Sequence, residues 1–190
     1  MADDGLLQLV RERMSELDAA EASPPDPFAG TGTRVVRLTL EGVNLPEDRF
    51  PPAGRRRPPC EPAEVEAAEH AIGVKLPPLL VRLYTEVADG GFGPGDGATP
   101  NALLPALWEE YTVDLVEAED LDPWPEAVVP FCQIDQTLLA CVDCSSPEGA
   151  VIGFEYDDLD PEAEGGLRDA LSPMAPSLAD WIEQWLRETA

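Results

Sequence analysis

Four groups of residues have types and spacings that bear on chemistry. Cys141 and Cys144 form a C-x-x-C pair, and Cys132 lies nearby. A structural zinc site needs four ligands, and no second C-x-x-C or histidine pair supplies the rest. A redox-active pair opens a helix, whereas the residues around Cys141 read as a strand. Residues three apart on a strand point to opposite faces, so these thiols are expected to diverge and to pack as small apolar side chains. His70 is the sole histidine and falls beside Glu69 in a helical stretch. A hydrolytic triad needs a nucleophile and an orienting group, and no G-x-S-x-G pattern occurs, so His70 reads as an exposed helix residue. The run from Gly90 to Gly97 contains five glycines and could be taken for a phosphate cradle. It follows a helix instead of opening one, and no Lys-Ser/Thr comes after it. No constellation of titratable groups for an enzyme emerges, and no metal or cofactor is expected.

The fourth group is acidic. Asp114, Glu117, Glu119, Asp120 and Asp122 form one cluster, and Glu155, Asp157, Asp158 and Asp160 form a second. The twelve-residue spacing of a helix-loop-helix calcium site is absent. A surface reading is therefore favoured: the two clusters are expected to form one acidic face that docks a basic protein. The bulk charge agrees. The chain carries 38 acidic and 12 basic side chains, a net charge of −26 over 190 residues. Residues 1–95 hold 16 acidic and 10 basic groups, and residues 96–190 hold 22 and 2. Such a surface repels phosphate, which excludes nucleic acid and anionic membrane as direct partners. Apolar residues make up 44% of the chain, enough for a core. No apolar run approaches a membrane span, no secretory signal is visible, and four irregularly placed cysteines do not make a disulfide scaffold. A cytoplasmic location is the expectation.

These residues must be positioned by elements that periodicity and breakers delimit. Residues 4–20 predict a helix, with Leu6, Val10, Met14 and Leu17 on one stripe and Asp3 and Asp4 at its positive end. A breaker-rich loop over 22–33, a half-buried strand from Arg34 to Leu40 and a proline-rich loop over 44–61 follow. Pro62 opens a helix with Val65, Ala68 and Ile72 on one side, and Gly73 closes it as a left-handed cap. Pro77-Pro78 opens another, with Leu80, Leu83, Tyr84 and Val87 in helical spacing, ended by Asp89-Gly90-Gly91. Residues 92–102 read as a glycine-rich loop, Leu103–Trp108 as a short apolar stretch, and 112–126 as acidic and irregular. Val128–Gln133, Leu138–Val142 and Ala150–Tyr156 predict three strands whose short turns imply an antiparallel meander. An acidic loop over 157–166 precedes a closing helix. Ser177 is its N-cap, and Leu178, Trp181, Ile182, Trp185 and Leu186 share one face. The expected class is α+β: a mostly antiparallel sheet flanked by helices, with an N-terminal helix, strand and Pro-rich loop over 1–59 expected to belong to the same domain as residues 60–190.

The run Glu61-Pro-Ala-Glu-Val-Glu-Ala-Ala-Glu69-His-Ala-Ile-Gly73-Val-Lys-Leu76-Pro77, then Leu83-Tyr84 and Asp89-Gly90-Gly91, resembles the opening signature of the SUKH superfamily. Downstream, Val129-Pro130-Phe131, Leu139–Asp143, Gly149–Glu155 and Ser177–Leu186 follow in the order of that family's central strands and closing helix. Pro78 departs from the acidic or aromatic residue usual after Leu-Pro. The superfamily includes fungal cell-wall-assembly regulators and many bacterial proteins, often immunity proteins that neutralise nuclease toxins. The resemblance implies a SUKH-like fold and a non-enzymatic binding module. It directs the acidic clusters toward a basic toxin domain. The alternative it implies is a cytoplasmic regulatory scaffold docking onto a cell-wall or signalling enzyme.

Overall fold

The computed structural model describes residues 3–21, 57–119, 121–160 and 166–188. The helices are α1 (Asp3–Glu21), α2 (Pro62–Ile72), α3 (Pro78–Glu86), α4 (Leu104–Glu109), α5 (Leu115–Ala118) and α6 (Leu178–Glu188). The strands are β1 (Gly97–Ala98), β2 (Val128–Gln133), β3 (Leu138–Asp143), β4 (Val151–Glu155) and β5 (Leu171–Ala175). They form one antiparallel sheet in the order β1-β2-β3-β4-β5. The architecture is therefore α+β, as the alternation of patterns requires.

The helices begin and end where local chemistry dictates. Pro62 occupies the first turn of α2, where its missing N–H costs nothing. The Glu61 amide donates to Glu64 Oε2 at 2.8 Å, and Gly73 closes the helix at φ 80°. α3 opens on Pro78, and its Leu79, Leu80, Leu83 and Tyr84 are buried in the main core. Ser177 caps α6: its hydroxyl donates to Asp180 Oδ2 at 2.6 Å and accepts the Asp180 amide at 3.1 Å.

Strand alternation sends side chains into two apolar clusters, one on each face of the sheet. The larger cluster takes Ala140 and Val142 of β3 and covers them with Leu6, Leu7, Val10 and Met14 of α1, the apolar sides of α2 and α3, and Trp181, Ile182 and Trp185 of α6. Trp181 meets Phe131 edge-on at 5.3 Å. The smaller cluster takes Leu139 and Cys141 of β3, Phe154 of β4, and Trp124, Leu167 and Ala170. α1 thus contributes to the main core. Arg82 of α3 also holds it, reaching Asp4 at 2.6 Å and its own-helix Glu86 at 2.7 Å. These pairs are exposed and contribute little next to the buried leucines.

Four expectations differ from the structure. The run after Gly91 contains β1, which pairs Gly97 with Gln133 and Ala98 with Cys132. Positive-φ glycines make this possible: a Cβ on Gly95 (φ 62°) would strike the Ile134 carbonyl oxygen. Of the stretch 112–126 expected to be irregular, residues 112–118 are helical, as a π-turn over Glu110–Asp114 continues into α5. Trp108, Tyr111, Leu115 and Val116 form the stripe that seats this segment on the smaller cluster. β5 lies within a stretch assigned no element, and its Pro173 is compatible with an edge strand. Tyr156–Asp158, expected partly as strand and partly as loop, forms a 3-10 turn. The strand expected over Arg34–Leu40 and most of the loop at 44–61 lie outside the described residues.

Candidate protein-docking surface

The smaller cluster is the foundation of the acidic surface. Phe154 sits at its centre, fully buried, 5.3 Å from Trp124 and 5.6 Å from Tyr111 between ring centroids. The Trp124 indole N–H donates to the Val128 carbonyl at 2.6 Å, so a polar atom in an apolar site is satisfied. Leu115 and Val116 pack on this cluster from one side, and Leu159 packs on it from the next turn of chain after β4. The two acidic stretches are thereby seated around one aromatic group, on the sheet face opposite α1, α3 and α6.

Asp114, Glu117 and Asp122 are exposed, and Glu119 is half-buried. Asp120 lies outside the described residues. In the second stretch Asp157, Asp158 and Asp160 are exposed and Glu155 is half-buried. No Lys or Arg occurs between Arg82 and Arg168, so neither stretch contains a basic residue of its own. Three residues were not singled out by spacing. Glu110 is half-buried on the π-turn, and burial followed by the Asp114 charge raises its carboxyl above the ordinary range. Val113 and Tyr156 are large apolar side chains left 43% and 49% exposed among the acids. An isolated Val and Tyr carry no sequence signal. Only the π-turn and the 3-10 turn after β4 bring them to the surface.

The other candidate groups resolve into packing. Cys132 lies in the larger cluster and Cys141 in the smaller one, on opposite faces of the sheet. Burial pushes both thiols well up, and pushes Cys144 up to about 12, so no thiolate forms at neutral pH. Among the described residues no group of three or more His, Cys, Asp or Glu side chains is arranged to hold a metal. No described helix is long and apolar enough to cross a membrane. His70 is exposed.

Its neighbour Glu69 is the unexpected residue. It is only 7% exposed, and its carboxylate accepts the Leu76 amide at 2.9 Å and the Lys75 ammonium at 2.6 Å. This carboxylate holds the α2–α3 turn closed. Asp89 does similar work after α3, accepting the Asn101 amide at 2.7 Å. Glu69 and Asp89 of the signature are thus turn-builders, not surface ligands.

Two kinds of carboxylate predict the pH dependence. Burial raises Asp89 and Glu110 above their ordinary values of 3.8 and 4.5, so the folded chain binds their protons more tightly than the unfolded chain does. Their stabilising contribution is present below those ordinary values and is lost as pH rises through the raised ones. Glu86, hydrogen-bonded by Arg82, and Asp135, which accepts the Thr137 and Leu138 amides, are lowered. Their contribution is present above the ordinary values and is lost as pH falls through the lowered ones. The urea midpoint is therefore expected to rise as pH falls toward the ordinary carboxylate values of 3.8 and 4.5 and to drop again as pH falls below them. A midpoint that falls steadily from neutral pH would contradict this assignment.

Glu69, Gly73, Leu76-Pro77 and Asp89-Gly90-Gly91 each have a local structural task, and the meander and closing helix follow in order. No match is found among curated proteins. The model of the SMI1/KNR4 family (SUKH-1) matches residues 59–184, about two thirds of the chain and every element from α2 into α6. On this match, carried by a five-stranded antiparallel sheet flanked by helices, the chain belongs to the SMI1/KNR4 family (SUKH-1).

Proposed function

We propose that this protein is a non-enzymatic binding module, a bacterial immunity protein that neutralises a basic, nuclease-type toxin domain in the cytoplasm. The observation that carries this reading is the pair of acidic stretches seated on the smaller cluster, with Val113 exposed beside Asp114 in the first and Tyr156 exposed beside Asp157 in the second. A nuclease grips phosphate with Lys and Arg, and clustered carboxylates offer those cations the same charge. Long-range attraction speeds encounter. Val113 and Tyr156 then supply the apolar contact that slows release, because charged rims govern association and buried anchors govern dissociation. No cofactor is needed. The partner's active surface is blocked by occupancy alone.

Capture from native lysate tests the reading. The wild-type chain and a Glu117→Lys/Asp157→Lys/Asp158→Lys variant are immobilised in parallel, and bound proteins are identified at low and high salt. The expected catch is a basic protein held by the wild type alone and released as salt rises from about 50 to about 500 mM. A catch of neutral or acidic proteins, or retention that ignores salt, would sink the electrostatic mechanism. Tyr156→Ala is expected to speed dissociation of the same partner about tenfold or more while leaving the association rate nearly unchanged.

A further inference from the structure

We propose that the groove between α1 and α6 is a self-association surface, filled by the same groove of a second copy of this chain. α1 buries Leu6, Leu7, Val10 and Met14 in the main core and turns Leu9 outward, 44% exposed. On α6 the buried residues are Leu178, Trp181, Ile182 and Trp185, and Leu186 is left half-buried. Leu9 and Leu186 line one groove of about 630 Å³ with Arg13, Glu16, Glu183 and Arg187. Arg13 and Glu16 pair at 2.9 Å, and Arg187 Nε donates to the Glu183 carbonyl at 3.1 Å.

Charge selects the occupant. With Glu12 the groove holds three carboxylates and two guanidinium groups, a local balance near neutral on a chain of −26. Two copies therefore repel least when they meet here. A two-fold contact requires a patch that is complementary to itself, and a patch carrying both signs can place each Arg of one copy opposite a Glu of the other. The opposite, all-acidic face cannot. A strongly basic partner gains little at a groove that already contains two arginines. Because α1 and α6 lie across the sheet from the acidic stretches, such a dimer leaves both acidic faces open.

Sedimentation velocity of the full chain, over about 1 to about 100 µM, tests the proposal. The expected result is a reversible dimer that tightens as salt rises from about 20 to about 200 mM, because net repulsion is screened. That is the reverse of the salt response expected for a basic partner. Leu9→Glu and Leu186→Glu are each expected to weaken the dimer about tenfold or more. Arg13→Glu with Arg187→Glu makes an all-acidic groove, and Glu12→Arg with Glu183→Arg makes a basic one. Each double variant alone is expected to be monomeric, and an equimolar mixture is expected to restore the dimer. Circular dichroism confirms that each variant folds. A wild-type chain that stays monomeric throughout overturns the proposal. A dimer that Leu9→Glu leaves unchanged overturns it as well.

Discussion

Replacing Phe154 with alanine is expected to lower the unfolding free energy by about 3–5 kcal/mol, a large share of the total for a domain of this size. Phe154 is fully buried between Trp124 and Tyr111, and its neighbours reach it from the sheet, from the 104–124 segment and from the turns after β4. These parts cannot close over the void together, because β4 is held in register between β3 and β5. Phe154→Leu keeps most of the volume and is expected to cost about 1–2 kcal/mol. Urea denaturation followed by tryptophan fluorescence gives both numbers. A second readout concerns the surface above. With the aromatic group broken, Cys141 behind it is expected to react with a thiol reagent far faster than in the wild type. A loss below about 1 kcal/mol for Phe154→Ala would show that the smaller cluster is not what holds the acidic stretches in place.

Glu69→Ala is the second large effect, expected at about 2–3 kcal/mol. The substitution strands the Leu76 amide in a buried turn without an acceptor. Glu69→Gln retains an acceptor oxygen and is expected to cost about 1 kcal/mol. Lys75 is 81% exposed, so removing its ammonium by Lys75→Ala is expected to leave stability nearly unchanged. The three variants separate a buried hydrogen bond from a surface ion pair. If Lys75→Ala equals Glu69→Ala in cost, the ion pair and not the amide hydrogen bond holds the turn.

Much of the fold is legible in the sequence because breakers and apolar spacing agree. Pro62, Gly73 and Pro78 delimit α2 and α3, short polar turns separate β2, β3 and β4, and Ser177 with Asp180 announces α6. Elsewhere the signals conflict. Between Glu109 and Ala118 acidic residues interleave with Tyr111, Leu115 and Val116, and the π-turn shifts the stripe from the ordinary helical period. β5 contains Ser172 and Pro173, which argue against a strand in isolation, and β1 is two small residues placed by glycine backbone freedom. The acidic character of the surface could be read from composition. Its foundation could not, because the contacts of Phe154 with Tyr111 and Trp124 span 30 to 43 positions of chain. Glu69 is the sharpest case: beside an exposed His70 its type predicts solvent, and only the return of Leu76 over the end of α2 buries it.

The central claim is that the acidic face binds and blocks a basic toxin domain. The most direct measurement is the nuclease activity of the captured basic partner, titrated with wild type and with the Glu117→Lys/Asp157→Lys/Asp158→Lys variant. Wild type is expected to abolish activity at stoichiometric concentration, with an association rate that falls about tenfold or more as salt rises from about 50 to about 500 mM. The lysine variant is expected to leave activity intact while unfolding at the wild-type urea midpoint. A partner without nuclease activity, or one inhibited equally by both chains, would contradict the claim and favour a regulatory scaffold that docks through another surface.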